Sequence, residues 1–417
     1  MGQELGHVLT PHEDVRDRIL ERIQVLPGET VALAASRGRV LAEDVTATEP
    51  IPLFDNSAMD GYAVRVADLQ GAAKDQPVTL KVAGNLPAGV SGDEPLEAGT
   101  AVRIMTGAPL PENTEAVIPH ELTRFTSSEV TFFAPARDGQ NIRRAGGDIQ
   151  PGDVPLRAGM ILRGPQVGVA ATLGRGQLEV TRRPRVAILS PGKELVEPWD
   201  KPGPGQLRNS NAYALAALLE EEGALPDVRG IVEDDPDLLR ASVRAAIDDG
   251  ADLLISTGGV SAGDHDYVQA IVREDADPGW VFKTDMRPGK PQVFGVFDGV
   301  PLVGMPGNPA AAIVSFAVFA RPVLRKMAGR QPTVPESFPV RFESDLPYKR
   351  GRVFMLRARV EPDLESTSGG FRFAAAGDQD SSFLASLVSA NALIRLPADR
   401  DLARAGEVFP AQWIHAP

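Results

Sequence analysis

Cysteine is absent from the 417 residues. Disulfides, thiolate metal sites, iron–sulfur clusters and cysteine nucleophiles are therefore excluded. Histidine is scarce: His7, His12, His120, His265 and His415 are scattered, with no HxH or HExxH spacing, which argues against a histidine-built zinc or iron centre. A metal, if one is used, is a hard ion held by carboxylates. Excess positive charge is missing as well. The 43 basic residues face 56 acidic ones, a net charge of −13, which disfavours non-specific binding to nucleic acid or to an anionic membrane surface. Any anionic ligand must be drawn in by a local site. No window approaches the ~18–20 apolar residues that span a bilayer, and the first residues lack a basic region followed by an apolar run, so a cytoplasmic protein is expected. Neither G-x-G-x-x-G nor GxxxxGK[ST] occurs, which leaves a dinucleotide fold and a P-loop NTPase unsupported.

What is present is length and punctuation. The chain is too long for one ordinary core and predicts two to four domains. Its 41 glycines and 36 prolines stay below the ~25–30% that signals disorder, and read as the turns of many short elements. Thr10-Pro11-His12-Glu13 offers a cap, a proline at the first helical position and Glu three residues after the cap. Val15, Ile19 and Ile23 follow at i, i+4, i+8, which predicts an amphipathic helix with one buried stripe. Residues 47–145 break into short apolar runs (VTLKVAG, AVRIMTGAP, EAVIPHEL), the pattern of a β-rich domain. Residues 146–180 are turn-rich and then apolar, and are expected to join residues 1–46 in a discontinuous N-terminal domain. From 181 to 330 strand-like runs alternate with helical periods. RVAILS and ADLLIS are buried strands, Asn209 to Asn211 can cap a helix ending at Gly223, Asp235-Pro236 opens one ending at Gly250, and Asp298-Gly299 joins QVFGVF to VPLVGM as a hairpin. This alternation predicts a central doubly wound α/β domain with a mostly parallel sheet. Residues 331–417 return to short strands and form a fourth, β-rich domain.

Ligands of an open parallel sheet bind outside the carboxyl ends of its strands. Three loops leave such ends: Ser190 to Glu194, Thr257 to Asp264 (with Gly258, Gly259, Ser261 and Gly263) and Met305 to Pro309 (with Pro306, Gly307 and Asn308). Each alone reads as an ordinary turn. Together they predict one edge where backbone N–H groups approach a phosphate-bearing ligand. Glu194, Asp234, Asp235, Asp264 and Asp266 recur at that edge and suggest Mg²⁺, although Asp235 and Asp264 are equally helix caps. Lys283, Arg287 and Lys290, in FKTDMRPGKP, supply cations across a Pro-Gly turn. Asp60 stands in DNSAMDGYA, a stretch of small and polar residues with no apolar period; by itself it says only that a loop carries a carboxylate. His120 and His265 have no partner in the sequence and read as core or surface residues.

In order along the chain, FDNSAMDGYAVR, RIMTGAP, NIRRAGGDI, GQLRNSN, STGGVSAGDHDY, RPGKP and GMPGNP closely resemble the molybdopterin molybdenumtransferase family, which includes the C-terminal domain of gephyrin. The resemblance runs from about residue 10 to 400. It implies a homodimer of four-domain subunits, with a molybdopterin-binding type α/β domain, a β-barrel-like C-terminal domain and each active site shared between subunits. It implies adenylylated molybdopterin and molybdate as substrates, Mg²⁺ as the assisting ion, and a molybdopterin adenylyltransferase as a partner. By motif, Asp60, Thr106 and Asp148 correspond to functional positions of the first half; Glu194, Asp235, Asp266, Lys283, Arg287 and Lys290 to those of the α/β domain; Arg352 and Ser381 to those of the last. Asp60, Asp266, Glu194 and Lys283 are the catalytic candidates, and Glu194, Asp235, Asp264 and Asp266 the metal candidates. Pro191-Gly192-Lys193 stands where the family commonly has Thr-Gly-Asp, and Asp378 and Asp380 add negative charge beside Ser381. A molybdopterin adenylyltransferase, which resembles only residues 181–330, and a non-catalytic molybdopterin-binding scaffold are the alternatives.

Overall fold

The computed structural model describes residues 9–90, 94–260, 266–362 and 370–414. The chain divides into two compact units, one of Met1–Glu43, Ala158–Arg163 and Gln177–Pro417, the other of Asp44–Arg157 and Gly164–Gly176. None of the described helices is long and apolar enough to cross a membrane.

The larger unit is built on a six-stranded sheet. Its strands are β1 (Arg185–Pro191), β2 (Leu225–Val232), β3 (Leu253–Thr257), β4 (Gly279–Lys283), β5 (Pro291–Phe297) and β6 (Val300–Met305), in the order β2-β1-β3-β6-β5-β4. Strands β2, β1, β3 and β6 are parallel, and β6, β5 and β4 run antiparallel at one edge. The run RVAILS is continuous in hydrophobicity because both faces are covered. Val186 and Ile188 join the core that contains the helix Ser210–Glu221, whereas Ala187 and Leu189 join the core of the helices Pro236–Asp248 and Tyr267–Asp275. This is the doubly wound arrangement that the alternation predicts. Asp298 and Gly299, at φ of 48° and 84°, make the tight hairpin between β5 and β6.

The caps follow the sequence in two places and depart from it in one. The Asn209 side chain accepts from Ala212 N at 3.4 Å, and Asp235 Oδ1 accepts from Asp237 N at 2.8 Å and Leu238 N at 3.0 Å. Thr10, expected to cap the first helix, instead pairs by backbone with the end of β4, its N–H donating to Lys283 O at 2.9 Å. The helix His12–Leu20 starts after Pro11 without a side-chain cap, and Val15, Ile19 and Ile23 are buried as the period requires.

Met286–Arg287 leave the α/β body to pair in parallel with Val353–Pro362, the long strand of a second sheet completed by Ala392–Leu396, Val408–Trp413, Phe338–Arg341 and Phe371–Ala375. Ring contacts join the two ends of this sheet: Phe338 to Phe371 at 5.0 Å and Phe342 to Phe373 at 4.0 Å between centroids. The β-barrel-like form is thus drawn together by aromatic packing.

The smaller unit is β-rich. Its sheet runs Ala116–Pro119, Gly61–Val64, Thr100–Ile104, Val78–Leu86, Glu129–Phe132, Thr123–Phe125. A Cβ at Gly61 would stand 2.1 Å from Ile118 O, so only glycine permits that pairing. The discontinuous domain expected from residues 1–46 and 146–180 is divided between the units. Gly28–Ala32 pairs with Gln177–Thr181 in the larger one, while Val45 bridges Leu156 and Ile51 bridges Ile149 in the smaller. Backbone pairing at each end, which composition does not encode, draws that boundary.

Candidate functional site

In the larger unit the loops after β1, β3 and β6 converge. Gly258 N donates to Met305 O at 2.9 Å, and a Cβ at Gly258 would stand 3.3 Å from Pro191 O. Asn211 Nδ2 donates to Gly307 O at 2.7 Å and to Thr257 Oγ1 at 3.3 Å, tying the start of its helix to two loops at once. Gly258 and Gly259 have φ of 104° and 66°, which explains the Gly-Gly pair. The loops border a cleft of about 980 Å³ that is also lined from the second sheet.

Of the residues singled out in the sequence, Glu194, Gly258, Gly259, Asp266, Arg287, Lys290, Pro306, Gly307, Asn308, Arg352 and Ser381 line this cleft. Ser190 does not: it is fully buried, and its Oγ has no partner among the described residues. Lys283 ends β4 opposite Pro291 and is half-buried, outside the lining. Asp235 is committed to its helix cap, and Asp234 borders the cleft instead, accepting from Lys193 N at 3.3 Å. Ser261, Gly263, Asp264 and His265 lie outside the described residues. Asn209 and Asn211, read from the sequence only as helix-capping residues, and Gln379 line the cleft as well. The GQLRNSN motif was the available signal for the first two, and none existed for the third.

The basic turn is held internally. Thr284 N donates to Lys290 O at 2.7 Å and Thr284 Oγ1 to Gly289 O at 2.9 Å, with Gly289 at φ 103°. The pairing of Met286–Arg287 with Val353 and Phe354 brings Arg287 beside Arg352. Burial pulls the Arg352 guanidinium below its usual value, and the Arg287 cation pulls it the same way. Among the described residues no carboxylate lies within 4 Å of Arg287, Lys290 or Arg352, although Glu194, Asp234, Asp266 and Asp380 line the same cleft and the Arg287 cation helps hold the Asp380 carboxyl below its usual range. Asn308 Nδ2 donates to Ser381 Oγ at 3.0 Å, and Ala310 N to Ser381 O at 3.1 Å, which fixes Ser381 at the rim.

The start of the first helix braces this turn. His12 N donates to Asp285 Oδ1 at 2.8 Å, and His12 Nδ1 lies 2.8 Å from the same oxygen, while Val353 N donates to Asp285 O at 2.7 Å. Burial pushes the Asp285 carboxyl up, but the bonds from the His12 ring and N–H together hold it below the usual range. The stabilisation is therefore present above the unfolded value of ~3.9 and is lost as pH falls through the lower folded value. Asp285→Asn is expected to lower stability by about 1–2 kcal/mol at neutral pH. In denaturation series the gap to the unmodified protein should close in acid, and a gap constant down to acid pH would count against the brace.

Glu194, Asp234 and Asp266 stand at the ends of, or just beyond, β1, β2 and β3. A Cβ at Gly192 would meet the Glu194 carboxylate at 2.8 Å, so that side chain folds back over the loop. Among the described residues no three carboxylates or histidines gather as a metal cage. The donor set fits an ion that takes one or two carboxylates and completes its shell with ligand oxygens and water, which is how Mg²⁺ is commonly bound.

The smaller unit holds Asp60, Thr106 and Asp148. Asp60 Oδ1 accepts from Thr106 N and from Thr106 Oγ1, each at 2.7 Å. The Thr106 N–H and then its hydroxyl hold the exposed Asp60 carboxyl below the usual range, with His120 and Arg103 acting the same way. His120 N donates to Asp60 O at 3.1 Å, so this histidine, which had no partner in the sequence, braces the loop. Asp55 pins the neighbouring segment through Ala145 N at 2.7 Å and Arg144 Nη1 at 2.6 Å. Asp148 is exposed, its N–H bonded to Ile51 O.

Three family patterns match in succession: MoeA N-terminal region (domain I and II) over residues 10–174, probable molybdopterin binding domain over 187–326, and MoeA C-terminal region (domain IV) over 339–413. The chain is 37% identical to the molybdopterin molybdenumtransferase of Nostoc sp., covering 96% of this chain and 94% of that one. It is 40% identical to molybdopterin molybdenumtransferase 2 of Mycobacterium tuberculosis over 89% and 91%. The crystal structure of the molybdopterin biosynthesis moeA protein from Pyrococcus horikoshii superposes with a TM-score of 0.83 at 28% identity, over 97% of this chain and 100% of that chain.

Proposed function

Because the chain belongs to the molybdopterin molybdenumtransferase family, we propose that it transfers molybdenum from molybdate to the dithiolene of adenylylated molybdopterin, releasing molybdenum cofactor and AMP. It does so in the cytoplasm, as a homodimer, on substrate received from a molybdopterin adenylyltransferase. The observation that supports this reading most is the cation set Arg287, Lys290 and Arg352, which makes no ion pair within 4 Å among the described residues, sharing one cleft with Gly258, Gly259 and Gly307. Molybdate is a dianion and the pyrophosphate link carries further charge; the three cations hold such groups and the glycine loops admit them to backbone N–H donors. Glu194 and Asp266 are the residues that would hold Mg²⁺. When bound, the ion offsets charge on the leaving phosphate. Asp60, held ionised, orients substrate or water and is not a proton donor at neutral pH.

The deciding experiment is AMP release from adenylylated molybdopterin under anaerobic conditions with Mg²⁺, with and without molybdate. Molybdate-dependent release is expected. Tight binding of the pterin without release would favour a scaffold, and pyrophosphate formation from ATP an adenylyltransferase. Alignment with full-length transferases over 96% of the chain, where an adenylyltransferase resembles only 181–330, weighs against the latter.

A further inference from the structure

The loop that carries Ser381 stands over a guanidinium that no motif points to. Arg357, in the strand Val353–Pro362, is fully buried and is one of the largest side chains so enclosed among the described residues. Its Nη2 donates to Asp378 O and to Asp380 O, each at 3.0 Å. Gln379 locks the same turn: its Oε1 accepts from Arg357 N at 3.0 Å, and its Nε2 donates to Arg357 O at 3.1 Å and Ala376 O at 3.2 Å. In a trans peptide the carbonyl and the following N–H point in opposite directions. With the carbonyls of Asp378 and Asp380 drawn to Arg357, the N–H groups of Gln379 and Ser381 face away from it. Neither N–H has an acceptor among the described residues, and both residues line the cleft. Two N–H groups of one turn aimed the same way, with the Asp380 N–H between them spent on Asp378 Oδ1, offer an anion a pair of donors.

The same loop carries two carboxylates that ought to repel an anion. Asp380 spends its Oδ1 on Ser382 N at 2.9 Å and Ser382 Oγ at 2.5 Å, and Asp378 Oδ1 accepts from Asp380 N at 2.9 Å. Arg357 interacts favourably with the charge of both. Its Nε and Nη1 have no hydrogen-bond partner among the described residues, where the side chain's hydrogen bonding is spent on this loop alone.

We propose that Arg357 is a positioning residue for the oxyanion substrate: it turns the Gln379 and Ser381 N–H groups into the cleft and offsets Asp378 and Asp380, so that an acidic loop receives molybdate. The proposal rests on the transferase reading and adds a residue that never touches the substrate.

Molybdate binding to the full chain by titration calorimetry, together with KM and kcat for molybdate, tests it. Arg357→Met is expected to weaken molybdate binding about tenfold or more, raising KM much more than it lowers kcat. Arg357→Lys, which keeps the charge and loses the fork, should fall between the two. Adding Asp378→Asn and Asp380→Asn to Arg357→Met should recover part of the affinity, a result that a merely structural arginine does not give. Unchanged affinity in Arg357→Met, or loss with no recovery in the triple variant, overturns the proposal. If Arg357→Met fails to fold, Arg357→Lys decides: wild-type affinity there overturns it. Absence of molybdate binding in the unmodified protein rejects the transferase reading and this inference together, and is separate from any result that depends on the variants.

Discussion

Asp60→Asn is expected to slow molybdate-dependent AMP release by about two to three orders of magnitude while the thermal transition moves little. Asn is close to isosteric and its Oδ1 can still accept from Thr106 N and Oγ1, so the substitution removes the charge and keeps the loop. The carboxylate is exposed and makes no ion pair within 4 Å among the described residues, so its removal leaves no buried group without a partner. Structure therefore has little reason to change, and function has much. Because Thr106 holds the carboxyl below the usual range, its contribution is present above that range and is lost only as pH falls through the lowered value. A rate profile from pH 5 to 8 should accordingly show no step from Asp60. Thr106→Val removes the hydroxyl bond but leaves the N–H bond, and should cost less than Asp60→Asn. Near-normal turnover in purified Asp60→Asn protein would remove Asp60 from the mechanism.

The parts of this molecule legible in the sequence are those whose cause is local. The doubly wound body follows from buried runs such as RVAILS alternating with capped helices, and the Asn209 and Asp235 caps lie where short polar side chains precede helical periods. The convergence of three loops follows from their common position at strand ends. What could not be read depends on tertiary pairing. Thr10 looks like a cap because nothing in its neighbourhood announces Lys283, more than 250 residues on, as its backbone partner. Ser190 looks like a loop residue, yet β1 continues through Pro191 and encloses its hydroxyl. Lys283 and Arg287 look equivalent in FKTDMRPGKP, but the first ends a strand of one sheet and the second lies in a short strand of another, so of the two only Arg287 enters the cleft. The apparent conflict of Asp378 and Asp380 with anion binding finds its answer in Arg357, whose position in a strand some twenty residues earlier reads as an anomaly until the fold places it under the loop.

That same strand supplies the second large effect. Arg352→Ala is expected to lower AMP release at subsaturating molybdate by about a hundredfold, expressed mainly in KM. Arg352 precedes the strand whose first residue, Val353, donates to Asp285 O at 2.7 Å, and its own Nη1 donates to Met286 O at 3.3 Å. Both bonds hold it against the basic turn beside a like charge, in partial burial, with no carboxylate within 4 Å among the described residues. Such a pair is unfavourable in the free protein and becomes favourable when a dianion enters between or beside the two cations, so binding relieves a repulsion as well as making an attraction. Removing one arginine loses the attraction and frees the other from its neighbour, and the two consequences are separable. Arg352→Lys keeps the charge without the planar fork, and is expected to regain part of the molybdate affinity and to retain the salt dependence that Arg352→Ala reduces. Should Arg352→Ala bind molybdate as tightly as the unmodified protein across a salt series, the oxyanion does not occupy this end of the cleft.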